Sequence, residues 1–195
     1  HKPIVAMYRD AQNAPLVIAI TLPEIIDGEH LAIESLLKNG VSYVHVRKPN
    51  ASTKEIETYL TQFDNNTRHR LTLHGHSQIA LEYGLGGIHS KDDISQHSNN
   101  LKRLSKSCHS IVEVTECPAQ YEYVFLSPIF DSISKQGYLS TLNHDELNQL
   151  LKQKTQTCPK VIALGGIDEK TAPKAKKMGF NGFALLGGLW CGEKS

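Results

Sequence analysis

Short apolar, β-branched runs recur along this chain at 16–21, 41–46, 70–73, 86–89, 104–108, 123–126, 161–164 and 182–186. Between them lie longer stretches whose apolar residues repeat at helical spacing, at 28–39, 52–65, 77–83, 111–117, 143–153 and 168–178. Such alternation is the pattern of successive βαβ units with parallel strands. The runs are short and apolar enough to predict strands buried on both faces. Local signals agree with the helix assignments. Asn143 with Glu146, and Asp168 ahead of Thr171, read as helix N-termini, while Gly40 and Gly179 stand where helices should stop.

Eight units either close into a barrel or open into a doubly wound sheet, and periodicity alone does not separate the two. Two features favour an α/β (β/α)8 TIM barrel. No G-x-G-x-x-G turn follows the first strand, and glycine pairs fall instead after strands 7 and 8, as Gly165-Gly166 and Gly187-Gly188. Barrels often hold phosphate at those two strands. Only five residues follow Trp190, so the eighth helix is expected to be short or missing. The chain, 1–195, reads as a single domain with its core at 16–190. Its least regular stretch, 127–141, would be a loop on the catalytic face of a barrel.

Composition narrows the class of partner. Hydrophobic residues make up 39% and charged residues 21%, a globular balance, and 21 Lys plus Arg against 20 Asp plus Glu leave a formal charge of +1. No global field gathers nucleic acid or an anionic membrane, and no apolar run approaches the roughly 20 residues of a membrane span. The expected partners are small molecules, with self-association into a homo-oligomer left open. The first ten residues lack the apolar stretch of a secretory signal. Cys108, Cys117, Cys158 and Cys191 are widely spaced without a C-x-x-C pair. They read as reduced thiols in a cytoplasmic protein.

Barrel active sites lie at the C-terminal ends of strands. There the chain carries His45-Val46-Arg47-Lys48, His74-Gly75-His76, His89-Ser90-Lys91-Asp92-Asp93 and Ser107-Cys108-His109-Ser110, followed after strand 6 by a loop containing Ser132, Ser134 and Lys135. Half of the ten histidines thus gather at one end, suited to proton transfer or metal ligation. His74 and His76, two apart on a strand, would share a face and could pair on a metal, although spacing supplies no third ligand. Arg47 and Lys135 would bring positive charge to an anionic substrate, whereas Lys48 and Lys91 read singly as solvated surface. Asp93, with Asp92, could hold Mg2+ beside a substrate phosphate, or could simply cap a turn. The two glycine pairs leave backbone N–H groups open to a phosphate.

From Leu16 to Trp190 the chain resembles the thiamine phosphate synthase family, which also contains thiazole tautomerases. The most specific element is the run from Tyr123 through Ser127-Pro128-Ile129-Phe130-Asp131-Ser132-Ile133-Ser134-Lys135, similar to the family's G-P-V-F-x-T-x-T-K. The segments 161–167 and 179–186 support it. The resemblance implies an enzyme joining an aminopyrimidine pyrophosphate to a thiazole phosphate, with Mg2+ assisting pyrophosphate release. It implies that Arg47, Ser107, Ser132, Ser134 and Lys135 hold pyrophosphate, that Asp93 binds Mg2+, and that Gly166, Gly187 and Gly188 cradle the thiazole phosphate. His45, His74 and His76 would line the substrate pocket.

Two departures from the family pattern stand out. The family's Q-x-R-E-K is His45-Val46-Arg47-Lys48-Pro49 here, and its N-D-R is His74-Gly75-His76, so Gly75 replaces a Mg2+-binding aspartate. His45 and Gly75 are similar to the tautomerase branch, which moves a ring proton with a histidine base and no metal. His109 matches the position of that branch's catalytic histidine. A third reading is a non-catalytic binder of a thiamine-pathway phosphate.

Overall fold

The computed structural model describes residues 14–91, 102–130, 142–154, 157 and 159–190. Its core is a closed barrel of eight parallel strands, each hydrogen-bonded to the next in chain order, with β1 paired to β8. The strands are β1 (Leu16–Ile20), β2 (Tyr43–Val46), β3 (Leu71–His74), β4 (Gly87–His89), β5 (Arg103–Cys108), β6 (Tyr123–Leu126), β7 (Lys160–Ala163) and β8 (Gly182–Leu186). Around them lie α1 (Glu29–Lys38), α2 (Thr53–Leu60), α3 (Asn65–Arg68), α4 (Ser77–Glu82), α5 (Ile111–Glu116), α6 (His144–Gln153) and α7 (Ala172–Met178). After β8 the described chain makes one turn of 3-10 helix, Gly187–Leu189.

The predicted boundaries shift in two places, each for a local reason. The stretch 52–65 is not one helix. Ser52 and Glu55 form a reciprocal capping box that starts α2, and Asp64 then accepts from the Thr67 amide to start α3. Asp168 accepts from the amides of Lys170 and Thr171, so it makes a turn, and α7 begins four residues later, at Ala172. Asn143 does cap α6, accepting from Asp145 and Glu146, and Gly179 ends α7 at φ 104°.

Strand alternation sorts the side chains into two layers. Val17, Ala19, Val44, Val46, Leu71, Leu73, Val124, Leu126, Phe183 and Leu185 join the larger core under the helices. Ile18, Ile20, Tyr123, Phe125, Ile162 and Ala184 form a smaller cluster inside the barrel. By the same parity β2 to β5 aim His45, Thr72, His74, His89, Ser105 and Ser107 inward. The interior is therefore apolar on the β1 and β6–β8 side and polar on the β2–β5 side. The strands of that second half are buried on both faces as expected, but the face turned into the barrel is polar.

Candidate active site

A cavity of about 910 Å³ opens at the C-terminal end of the barrel. Of the residues singled out in the sequence, Arg47, His74, His76, Ser107, Gly187 and Gly188 line it, and Ser90 and Lys91 join them. No carboxylate is among its described lining residues. Arg47 is exposed at the rim, and its backbone is fastened by the Thr21 hydroxyl, which accepts from the Arg47 amide at 3.0 Å. Gly75 at φ 70° ends β3, and His76 at φ 47° then turns the chain into α4. His76 therefore leaves the strand, and the expected face-sharing pair with His74 does not form. The two glycines after β8 differ. A Cβ on Gly187 would come within 2.6 Å of the Leu22 backbone nitrogen, whereas one on Gly188 would meet nothing.

At the floor of the cavity three inward-facing imidazoles come together from adjacent strands, His74 and His89 lining it and His45 fully buried below. The register sets His74 opposite His89, and β2 brings His45 alongside. His45 Nδ1 lies 2.8 Å from His74 Nε2, and His45 Nε2 lies 2.6 Å from the Tyr123 hydroxyl. His89 is held at both nitrogens, by Ser105 Oγ at 2.8 Å and Ser107 Oγ at 2.9 Å. Burial keeps all three uncharged at neutral pH. It pushes His74 down to about 3, with the Arg47 guanidinium adding to the effect. It also drives His45 and His89 well below the ordinary imidazole range, with His74 reinforcing both shifts. The Tyr123 phenol is raised by burial and stays protonated. Tyr123 was not singled out as a site residue from the sequence, and His89 entered only as one of the five histidines at strand ends. Strand parity is the signal that could have found them, since both share the inward face with His45 and His74.

Three imidazoles this close invite a metal, because one ring nitrogen from each lies within 4.8 Å of the others. Ring orientation opposes it. His74 and His89 stack with centroids 4.1 Å apart and planes 14° from parallel. An ion about 2 Å along both lone pairs would have to lie in two planes that do not meet there. Among the described residues the donors do not suit Mg2+ either, which takes oxygen ligands at octahedral positions. The described lining offers imidazoles rather than carboxylates, and Gly75 brings no side chain. Asp93, like Ser132, Ser134 and Lys135, lies outside the described residues.

Several expected residues stand apart from the cavity. His109 does not line it. The imidazole is 63% exposed, 4.0 Å from the Glu113 carboxylate, which also accepts from the His109 amide. Gly166 does not line it either. A Cβ there would press to 2.9 Å on Phe130, so the Gly165-Gly166 pair serves close packing against the segment after β6. That packing carries backbone bonds from Ile129 to Leu164 and from Phe130 to Gly165. Lys48, read as solvated, does line the cavity but is buried and ion-paired to Glu29 at 2.7 Å. Cys108 and Cys117 are buried free thiols, Cys108 pushed up to about 12 by burial, which leaves it inert. No described helix is long and apolar enough to cross a membrane.

Known proteins share this sequence pattern and this fold. The family model described as thiamine monophosphate synthase matches residues 17–189. A thiamine-phosphate synthase of Clostridium acetobutylicum is 25% identical over 177 residues, covering 84% of this chain and 80% of that protein. One from Chloroflexus aurantiacus is 23% identical over 163 residues, covering 79% and 74%. Among solved structures, a thiamine phosphate pyrophosphorylase from Bacteroides thetaiotaomicron superposes with a TM-score of 0.73 at 31% identity, covering 90% of this chain and 84% of its own.

Proposed function

The chain belongs to the thiamine monophosphate synthase family, and from that premise we propose that it joins an aminopyrimidine pyrophosphate to a thiazole phosphate, releasing pyrophosphate. The observation that carries this reading is the cavity wall, where the Arg47 and Lys91 cations, the Ser90 and Ser107 hydroxyls and the amides of Gly187 and Gly188 meet without a described carboxylate. Such a wall attracts anions and supplies the charge stabilisation that a departing pyrophosphate needs. Its volume falls within the range of about 300–1,000 Å³ typical of small-molecule pockets. Arg47 and Ser107 would hold the pyrophosphate, and the Gly187 and Gly188 amides the thiazole phosphate. Because the described donors do not suit Mg2+, no step here is assigned to that ion.

The buried histidine floor is a poor base, because desolvation holds His74 down at about 3. The exposed, cavity-lining His76 nevertheless supports a second reading, a thiazole tautomerase that moves a ring proton without metal. His109, exposed and turned to Glu113, is less suited to it than the cavity-lining His76.

One experiment separates the readings. Purified protein incubated with both coupling substrates, with and without added Mg2+, should release pyrophosphate in step with product. If no pyrophosphate appears while the thiazole carboxylate phosphate exchanges its ring proton with solvent, the second reading replaces the first. If neither occurs and the thiazole phosphate still raises the melting temperature, the chain is a binder.

A further inference from the structure

Tyr123, His45 and His74 form a chain of hydrogen bonds that climbs from the barrel interior to the cavity, and its lower end sets its direction. A phenol is a stronger O–H donor than an imidazole N–H, and a neutral imidazole nitrogen a stronger acceptor than a phenol oxygen, which favours the Tyr123 hydroxyl donating to His45 Nε2 across 2.6 Å. A neutral imidazole carries one N–H. His45 must then hold its proton on Nδ1 and donate it to His74 Nε2 across 2.8 Å. By the same count His74 keeps its proton on Nδ1. That nitrogen has no hydrogen-bond partner among the described residues, on a side chain that lines the cavity. The stacked His89 ring, pinned at both ends by Ser105 and Ser107, fixes the plane in which His74 lies.

We propose that Tyr123 and His45 are positioning residues that lock His74 into its Nδ1–H tautomer, so that His74 offers a fixed hydrogen-bond donor to a phosphate or pyrophosphate oxygen of the substrate beside Arg47. Without the chain, the ring would divide between two tautomers, one of which turns a lone pair toward the anion. The family pattern has asparagine at this position, whose amide always carries donors. In this chain a histidine meets the same demand only if its tautomer is set from below. Burial supports the arrangement by keeping the imidazoles uncharged and the phenol protonated. The proposal rests on the reading of the cavity as a site for a phosphorylated substrate.

The direct test is imidazole nitrogen NMR on the full chain labelled with 15N-histidine, near pH 7. His45 and His74 should both be protonated at Nδ1, and inorganic pyrophosphate should shift the His74 Nδ1–H resonance. A proton on His74 Nε2 overturns the lock while leaving the proposed reaction untouched. Pyrophosphate that binds without moving that resonance overturns the donor role. Pyrophosphate that fails to bind at all overturns the reading of the cavity, and the proposal with it.

A second measurement separates positioning from mere support. Tyr123→Phe should weaken pyrophosphate binding about three- to tenfold, the scale of one ordinary neutral hydrogen bond. In a His74→Asn background, where the amide donor needs no lock, Tyr123→Phe should have no further effect. Equal losses in both backgrounds would make Tyr123 structural and sink the proposal.

Discussion

Glu29 holds Lys48 in a fully buried pair at 2.7 Å, and the same carboxylate accepts from the Tyr59 hydroxyl while Lys48 also donates to the Leu22 carbonyl. Lys48→Met removes the cation and strands a buried carboxylate, a change that costs about 3–5 kcal/mol in comparable cases. Urea unfolding should show that loss, and the double variant with Glu29→Leu should recover most of it. A double variant no more stable than Lys48→Met would show that the pair's charges are not what matters. The two glycines after β8 give a finer residue-scale contrast. Gly187→Ala forces a methyl onto the Leu22 backbone and should destabilise by about 1–3 kcal/mol, whereas Gly188→Ala meets open space and should stay within about 0.5 kcal/mol. Equal melting temperatures for the two would refute that packing argument. Neither distinction was legible in the sequence. Lys48 and Lys91 look alike there, as do adjacent glycines, because burial comes from what other strands bring and not from the residue's own neighbours.

At the scale of elements, period and punctuation carried most of the information. All eight strands and the helices form where apolar spacing predicted them, and the two shifted helix boundaries trace to cap chemistry at Asp64 and Asp168. Facing was harder to read. In short runs such as Val44-His45-Val46 and Leu71-Thr72-Leu73-His74 polar residues alternate with apolar ones, but the sequence does not say that the polar parity faces the barrel interior. The consequence is a pH dependence that belongs to β2, β3 and β4 together. Each histidine binds its proton more weakly folded than unfolded, so the unfolded chain takes up protons first as pH falls through about 6.5. Stability should therefore be highest above 6.5 and decline as pH drops, for His74 down to about 3. Each group contributes up to about 1.4 kcal/mol per pH unit in that window. Urea midpoints measured from pH 7.5 to 4.5 should fall with acidity, and His74→Asn should flatten the slope. A midpoint independent of pH would mean that the three rings are charged or exposed.

Across the whole molecule, closure of the barrel turns the polar strands β2–β5 and the apolar strands β1 and β6–β8 into two walls of one cavity. Phe125 and Leu164 from the apolar side face the space that Arg47 and Ser107 bound from the other, while Gly187 and Gly188 add backbone polarity at the end of β8. That division explains which of the expected residues converge. Arg47, His74, Ser107, Gly187 and Gly188 stand near strand ends and meet because strand ends meet, a relation the alternating pattern already implied. His109 also follows a strand, but it lies two residues before α5 and turns outward to Glu113 on that helix. Only the coordinates of the neighbouring helix reveal that. If the polar wall is the anion's anchor, Arg47→Met should raise the dissociation constant for inorganic pyrophosphate about 10- to 100-fold, and the loss should shrink as salt screens the site. Because Arg47 is exposed at the rim, unfolding stability should change by no more than about 0.5 kcal/mol. Calorimetric titration beside thermal melting reads both at once. Binding lost together with the fold would make Arg47 a structural residue, and binding retained would move the anion to the opposite wall.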